Sequence, residues 1–140
     1  MCGILGVYNL NNERIDKSLC QSMLDKMNHR GPDGFGDFYL DNIALLHRRL
    51  AILDTTNNGK QPMFSKNKKW VIVFNGCIYN FLDLKNDLIS KGHFFNSNSD
   101  TEVIVEGIEE YGIDFIKSLN GMFSIAALNI FTKDLYLIRD

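Results

Sequence analysis

The second residue of the chain is a cysteine, and this position gives its thiol unusual chemistry. Aminopeptidases that remove an initiator methionine accept a small side chain at position two, so loss of Met1 would leave Cys2 with a thiol and a free α-amine. An α-amine titrates near pH ~7.7–8 and can accept the proton of its own thiol. Cys2 is therefore a candidate N-terminal nucleophile with a built-in base. The alternative is a cysteine that merely follows the start codon.

Asn75 and Gly76 are candidate donors for the negative charge that such a nucleophile creates. They follow the apolar run Trp70 to Phe74, which predicts a buried strand. Asn-Gly is a typical hairpin turn, but a helical pattern follows it instead of a second strand. We therefore predict a tight turn that presents the Asn75 side-chain amide and the Gly76 backbone N–H to an oxyanion.

Arg49 and Asp100 are candidates for binding a charged ligand. Arg48 and Arg49 lie inside a strand-like stretch, so alternation places one of them inward. An inward arginine needs an anion, either an acidic neighbour or a ligand carboxylate. Asp100 either caps the helix that follows it or faces a ligand amine. Together Arg49 and Asp100 would hold both charged groups of a free α-amino acid.

Composition and charge narrow the class of protein. The 140 residues, 45% of them apolar, predict one domain with a real core. A net charge of -2 without a basic stripe disfavours nucleic acid as a partner, and no apolar run approaches membrane-spanning length. Three scattered cysteines favour a reducing compartment, hence the cytoplasm. Without a CxxC pair and with only three histidines, we expect no metal site.

The apolar periodicity predicts an α+β fold with largely antiparallel sheets, because strands and helices come in blocks without strict alternation. The chain ends directly after an apolar strand, so we expect a domain over residues 2–140 that is truncated at its C-terminus. The predicted strands are 3–8, 35–40, 43–47, 50–53, 70–74, 122–131 and 135–138, and the predicted helices are 16–28, 79–91 and one that begins at Ser99 or Asp100.

Seven motifs occur in the order and at the spacing of class II glutamine amidotransferase domains. They are MCGI, HRGPD, HRRLAILD, GKQPM, VFNG followed by IYNF one residue later, SDTEVI and LNGMF. Within that class the chain resembles most the glutamine-hydrolysing asparagine synthetases. The resemblance covers essentially all 140 residues. It implies the Ntn-hydrolase fold, a four-layer αββα sandwich of two antiparallel sheets.

The resemblance also implies roles for individual residues. Cys2 matches the nucleophile, and Asn75 with Gly76 matches the oxyanion hole. Arg49 matches the residue that binds the glutamine α-carboxylate, and Asp100 the one that holds its α-amine. Positions that line or contact the glutamine, and a loop beside the nucleophile, complete the match: Ile52, Leu53 and Cys77, and residues 29–33.

Two departures from the family pattern affect the expected activity. Cys77 stands where asparagine synthetases have a glutamate, so the affinity for glutamine is in question. The match also ends at Asp140, without the ATP-dependent synthetase domain that relatives carry downstream. We expect no cofactor for the glutaminase half, and ATP with Mg²⁺ only for the absent half.

The sequence therefore predicts a glutaminase domain of an asparagine-synthetase-like amidotransferase. Its partners would be L-glutamine, a C-terminal synthetase domain of the same longer chain and, as a homodimer, a second copy. The ammonia acceptor is aspartate or another carboxylate. The alternatives are a non-catalytic remnant that binds an amino acid or a partner protein, and a different Ntn-type amidase.

Overall fold

The computed structural model describes all 140 residues as two antiparallel sheets between two layers of helix. The first sheet has the order β1-β3-β2 and the second β4-β5-β6-β7. The strands are β1 (Gly3–Tyr8), β2 (Gly34–Leu40), β3 (Ile43–Arg49), β4 (Met63–Phe64), β5 (Trp70–Ile78), β6 (Gly121–Asn129) and β7 (Leu135–Arg139). The helices are α1 (Lys17–Lys26), α2 (Phe81–Ser90) and α3 (Asp100–Tyr111).

Strand β3 shows why the chain stacks into layers. All of its seven residues are buried, although successive side chains of a strand point to opposite faces. Ile43 and Leu45 pack against the second sheet, whereas Ala44 and Leu46 pack against α1. A strand that is apolar on both faces needs a cover on each side, and the fold supplies a sheet on one and a helix on the other.

Three apolar clusters separate four layers. One lies between the sheets, one between α1 and the first sheet, and the largest between the second sheet and α2 and α3. This is the αββα sandwich expected from the family resemblance. Strand β1 belongs to the first sheet and β5 to the second. Because the two sheets pack against each other, the distance between these strands is fixed. No helix is both long and apolar enough to cross a bilayer.

The predicted turn at Asn75 and Gly76 is wrong, because β5 runs straight through them to Ile78. Asn75 pairs with Ser124 and Gly76 with Phe123 in β6. A β-carbon on Gly76 would lie 2.1 Å from the Met122 carbonyl oxygen, so only glycine allows this close approach. Pairing with a long neighbouring strand overrides the local turn preference of Asn-Gly.

The predicted strand over residues 50–53 is also wrong. The ladder of β3 ends at Arg49, and the next backbone groups bind side chains instead. The Ala51 N–H donates to the Asp33 carboxylate at 2.9 Å, and the Leu50 N–H donates to Cys2 Sγ at 3.3 Å. The segment therefore bends away from the sheet. The other predicted strands and the three helices are confirmed, with ends shifted by a few residues.

Candidate active site

A cavity of about 100 Å³ opens where the two sheets and the start of α3 meet. It brings together most of the residues predicted from the sequence, which come from four separate parts of the chain. Its lining includes Cys2, Arg49, Ile52, Leu53, Asn75, Gly76 and Asp100. Cys77 does not line it, although it lies on the same strand as Asn75.

Cys2 sits immediately before β1, and the sheet fixes the direction of its side chain. Gly3 pairs with Arg48, so Cys2 lies opposite Arg49 at the end of the same ladder. Its sulfur contacts the Leu50 backbone, where it accepts from the N–H at 3.3 Å and lies 3.6 Å from the carbonyl oxygen. The start of the chain is thus held at the mouth of the cavity.

The loop of residues 29–33 contacts both Cys2 and the end of β3. Arg30 donates through Nε to the Cys2 carbonyl oxygen at 3.1 Å. The Asp33 N–H donates to the Arg49 carbonyl at 3.0 Å, while its carboxylate accepts from Ala51. The loop therefore connects Cys2 to the end of β3 and to the segment that follows it.

Arg49 points into the cavity and has no carboxylate partner. Its guanidinium donates to two backbone carbonyls, those of Thr56 at 2.7 Å and of Asp54. The residue is only 9% exposed. The Asp54 carboxylate is near enough for its charge to interact with Arg49 but forms no ion pair with it, so guanidinium donors remain for a ligand anion.

The loop that carries Asp54 is shaped around Arg49. A β-carbon on Gly59 would lie 2.4 Å from Arg49 Nη2, so glycine leaves room for the guanidinium. Asp54 accepts hydrogen bonds from Thr56 and from the Asn98 N–H, and these bonds lower the pKa of its carboxyl. Asp54 thus stays ionised and holds the loop, without pairing directly with the guanidinium.

The Asp100 carboxyl group lies in the same cavity as the Arg49 guanidinium. Ser99, not Asp100, caps α3, since the Ser99 side chain accepts from the Thr101 N–H. The Asp100 carboxylate, in a residue that is 4% exposed, accepts from the Ile78 N–H at 3.0 Å and has no cationic partner. Burial raises its pKa, with the backbone hydrogen bonds opposing that shift. A ligand ammonium would supply the missing positive charge.

Both predicted oxyanion donors face the cavity, although they lie on a strand edge instead of a turn. The Phe74 N–H and the Ile78 N–H point to the edge of β5 away from β6, where side chains accept them. Backbone N–H groups alternate along a strand, so the Gly76 N–H points to that same edge. The Asn75 amide lines the cavity and makes no hydrogen bond within the chain.

The sequence analysis assigned no role to two other residues that line the cavity, His47 and Gln61. His47 is 1% exposed, and neither ring nitrogen makes a hydrogen bond. Burial lowers its pKa to about 4, the Phe74 backbone opposes this shift and the nearby charge of Arg49 adds to it, so the ring is neutral at pH 7. The spacing in the sequence could have indicated His47, because a residue two positions before Arg49 lies on the same face of β3.

The fold matches that of known amidotransferases of the N-terminal-nucleophile hydrolase class. Glutamine phosphoribosylpyrophosphate amidotransferase from Bacillus subtilis superposes with a TM-score of 0.76 over 93% of this chain and 35% of that chain, at 20% identity. At this identity the likeness concerns the fold alone.

A sequence model of the glutamine amidotransferase domain matches residues 1–140, and the chain belongs to that family. Asparagine synthetase [glutamine-hydrolyzing] 1 of Bacillus subtilis is 37% identical over 143 residues, and asparagine synthetase [glutamine-hydrolyzing] 2 of Oryza sativa subsp. japonica is 40% identical over 141. Asparagine synthetase B of Escherichia coli is 39% identical over 141. These alignments cover 99–100% of this chain but only 22–24% of the relatives.

The expected family is therefore confirmed, and the domain is homologous to part of asparagine synthetases. The roles of single cavity residues stay predictions, as do the extent of the domain over 2–140 and its continuation beyond Asp140. No group of three or more histidine, cysteine, aspartate or glutamate side chains is arranged to hold a metal ion.

Proposed function

We propose that this domain hydrolyses L-glutamine to L-glutamate and ammonia, with Cys2 as the nucleophile. One observation carries the proposal: a buried guanidinium and a buried carboxylate, neither with an ionic partner, line the same cavity as the Cys2 sulfur. The two charges match those of a free α-amino acid. Family membership supplies the class of reaction.

Arg49 and Asp100 would fix the amino-acid end of glutamine. The α-carboxylate takes the place of the anion that Arg49 lacks, and the planar guanidinium can bind it through two parallel hydrogen bonds. The α-ammonium binds Asp100 and favours the ionised carboxylate against the effect of burial. Ile52 and Leu53 border the cavity and would pack against the methylene groups. Cys77 stays a predicted contact, although it does not line the cavity.

The reaction would use the α-amine of Cys2 after removal of Met1. The amine takes the thiol proton, and the thiolate attacks the side-chain amide carbon of glutamine. The carbonyl electron pair moves onto oxygen, where the Asn75 amide and the Gly76 N–H stabilise the negative charge. The amine then returns the proton to the departing nitrogen, the C–N bond breaks, and ammonia leaves a γ-glutamyl thioester. Water, activated by the same amine, releases glutamate and restores the thiol.

In a longer protein the ammonia would serve a second reaction. We propose that it passes through a water-poor route to a carboxylate activated with ATP and Mg²⁺ on a C-terminal synthetase domain, because protonation in bulk water would remove its nucleophilicity. Names of relatives support an asparagine-synthetase-like role, with aspartate or another carboxylate as the acceptor. A cytoplasmic location and a homodimer remain predictions of the sequence.

A non-catalytic domain that binds an amino acid or a partner protein is the alternative. Its main support was Cys77, which replaces the glutamate of asparagine synthetases. Cys77 lies outside the cavity lining, whereas the five residues to which we assign roles all belong to it, which supports the enzyme: Cys2, Arg49, Asn75, Gly76 and Asp100.

The proposal is tested by glutamate release from glutamine, measured for the wild-type chain and for Cys2→Ala. We expect steady release by the wild type and none above background by Cys2→Ala, because the nucleophile and no other cavity residue is lost. Circular dichroism and the melting temperature check that the variant is folded. Cys20→Ala, which changes a buried thiol outside the cavity, serves as the control. Equal release by Cys2→Ala and wild type would refute the mechanism.

A further inference from the structure

The edge of β5 that faces the cavity carries three successive N–H groups on alternate residues, Phe74, Gly76 and Ile78. Gln61 Oε1 accepts from the first at 2.6 Å, and Asp100 Oδ2 accepts from the last at 3.0 Å. The central one, that of Gly76, is left facing the cavity. Because these two side chains accept from the outer two N–H groups, only the Gly76 N–H of the three remains available to a ligand.

Gln61 lies two residues before Met63, where the pairing of β4 with β5 begins. Met63 pairs with Ile72 in the β4–β5 ladder, so continuation of that register would place Gln61 opposite Phe74. The ladder instead ends at Met63, and the Gln61 side chain takes over the role of a backbone carbonyl. Had the ladder continued four residues beyond Met63, Gly59 would lie opposite Gly76 and the neighbouring strand would cover the Gly76 N–H.

The same side chain reaches the start of α3. Gln61 Nε2 donates to Thr101 Oγ1 at 3.2 Å, and both residues are buried. Thr101 follows Asp100 directly, so one amide connects the strand that carries the oxyanion donors to the helix that carries the ammonium-binding carboxylate. The backbone of Gln61 packs closely against β2, since a β-carbon on Gly36 would lie 2.2 Å from its carbonyl oxygen.

We propose that Gln61 is a positioning residue for oxyanion stabilisation: it ends the β4–β5 ladder, holds the free edge of β5 in register with α3, and so aims the Gly76 N–H at the ligand. This inference rests on the proposed glutaminase function. Gln61 touches neither Cys2 Sγ nor the Arg49 guanidinium by hydrogen bond, so it acts through Phe74 and Thr101.

Loss of the Gln61 amide should affect the transition state more than substrate binding. The Phe74 N–H would lose its acceptor, and the edge of β5 would shift or recruit water to satisfy it. The Gly76 donor moves with that edge, whereas the Gln61 side chain makes no hydrogen bond to Arg49 or to Asp54 and Thr56, whose carbonyls hold it. Donors aimed at developing charge lower the barrier without tightening the ground-state complex.

The test compares Gln61→Met with Gln21→Met, which makes the same chemical change on the outer face of α1. We expect Gln61→Met to lower kcat for glutamine at least tenfold while KM changes less than threefold, and Gln21→Met to behave like wild type. A second measurement uses glutamate γ-semialdehyde, whose adduct with the Cys2 thiol carries an oxyanion. Its affinity should fall at least tenfold in Gln61→Met, whereas the affinity for glutamate should change less than threefold.

Thr101 variants test the proposal where Gln61→Met does not fold. Thr101→Val removes only the hydroxyl that binds Gln61, and Thr101→Ser keeps it. We expect Thr101→Val to lower kcat and semialdehyde affinity in the same sense, and Thr101→Ser to restore both. Equal losses of semialdehyde and glutamate affinity, or unchanged kcat in the folded variants, would overturn the positioning role. Absence of turnover by the wild type would instead refute the proposed function itself.

Discussion

At the scale of single residues, two neighbouring arginines show how position on a strand decides function. Arg48 faces α1, where it forms an ion pair with Asp25 and donates to the Leu24 carbonyl at 3.1 Å. Arg49 faces the cavity, with backbone carbonyls as its only partners. Arg48 is therefore paired with a carboxylate of the chain itself, whereas Arg49 forms no ion pair and can bind a ligand anion.

Arg49→Lys is expected to raise KM for glutamine at least tenfold while kcat falls less. A lysine ammonium retains the charge but cannot form two parallel hydrogen bonds with a carboxylate. Steady-state glutaminase kinetics measure this effect. Arg48→Lys is the matched control, since it alters the contact with α1 and should leave KM near the wild-type value. An unchanged KM in Arg49→Lys would assign Arg49 a structural role.

His47 predicts a dependence of stability on pH. Its folded pKa of about 4 lies below the unfolded value of 6.5, so below pH 6.5 the unfolded chain binds a proton that the folded chain does not. Stability contributed by His47 is therefore full above pH 6.5 and is lost as pH falls towards 4. Between pH 7 and 5 the loss is about 2 kcal/mol.

Urea unfolding of the wild type and of His47→Phe at both pH values measures this loss. The variant lacks the titrating ring, so the fall in its free energy of unfolding should be smaller by about the same 2 kcal/mol. The raised pKa of Asp100 acts in the opposite direction, but it is present in both proteins and cancels. An equal fall in the two proteins would show that His47 is not kept neutral by burial.

Sequence reasoning identified the cavity residues with reactive or charged side chains but not the buried residues that line the cavity with them. Cys2, Arg49 and Asp100 stand out because thiols, guanidinium groups and carboxylates have chemistry of their own. His47 and Gln61 matter through burial and through a backbone N–H on another strand, which residue type and local spacing do not reveal. Contacts between segments distant in sequence define such roles.

At the scale of elements, β5 explains why a local pattern gave a wrong local structure. Asn-Gly favours a turn, yet pairing with β6 extends the strand through both residues. The predicted donors nevertheless reach the cavity, because a strand whose neighbour has ended exposes its N–H groups as a turn would. Asn75 and Gly76 therefore line the cavity although the predicted turn is wrong.

Gly76→Ala is expected to destabilise the fold by about 1–3 kcal/mol and to abolish glutaminase activity. The new β-carbon would lie 2.1 Å from the Met122 carbonyl oxygen and would push β5 away from β6. Urea unfolding and glutamate release measure the two effects. Gly34→Ala is the control, since nothing lies within 4 Å of its added β-carbon. Wild-type stability in Gly76→Ala would contradict the close packing of these strands.

At the scale of the whole molecule, four layers hold a cavity that no single element could build. Cys2 precedes the first sheet, Asn75 and Gly76 lie on the second, and Asp100 begins a helix of the outer layer. Alternating apolar residues and the block order of elements were enough to predict an α+β fold. The αββα stacking came from resemblance, because periodicity does not say which faces meet.

We propose a processed Cys2 as the nucleophile of a cavity that binds glutamine. The most direct measurement is incubation of the purified chain with a diazo ketone analogue of glutamine, followed by intact-mass analysis and peptide mapping. We predict a chain without Met1 that carries one adduct, on Cys2, and protection by excess glutamine. A retained Met1 together with no adduct, or labelling of Cys20 or Cys77 in place of Cys2, would contradict the account.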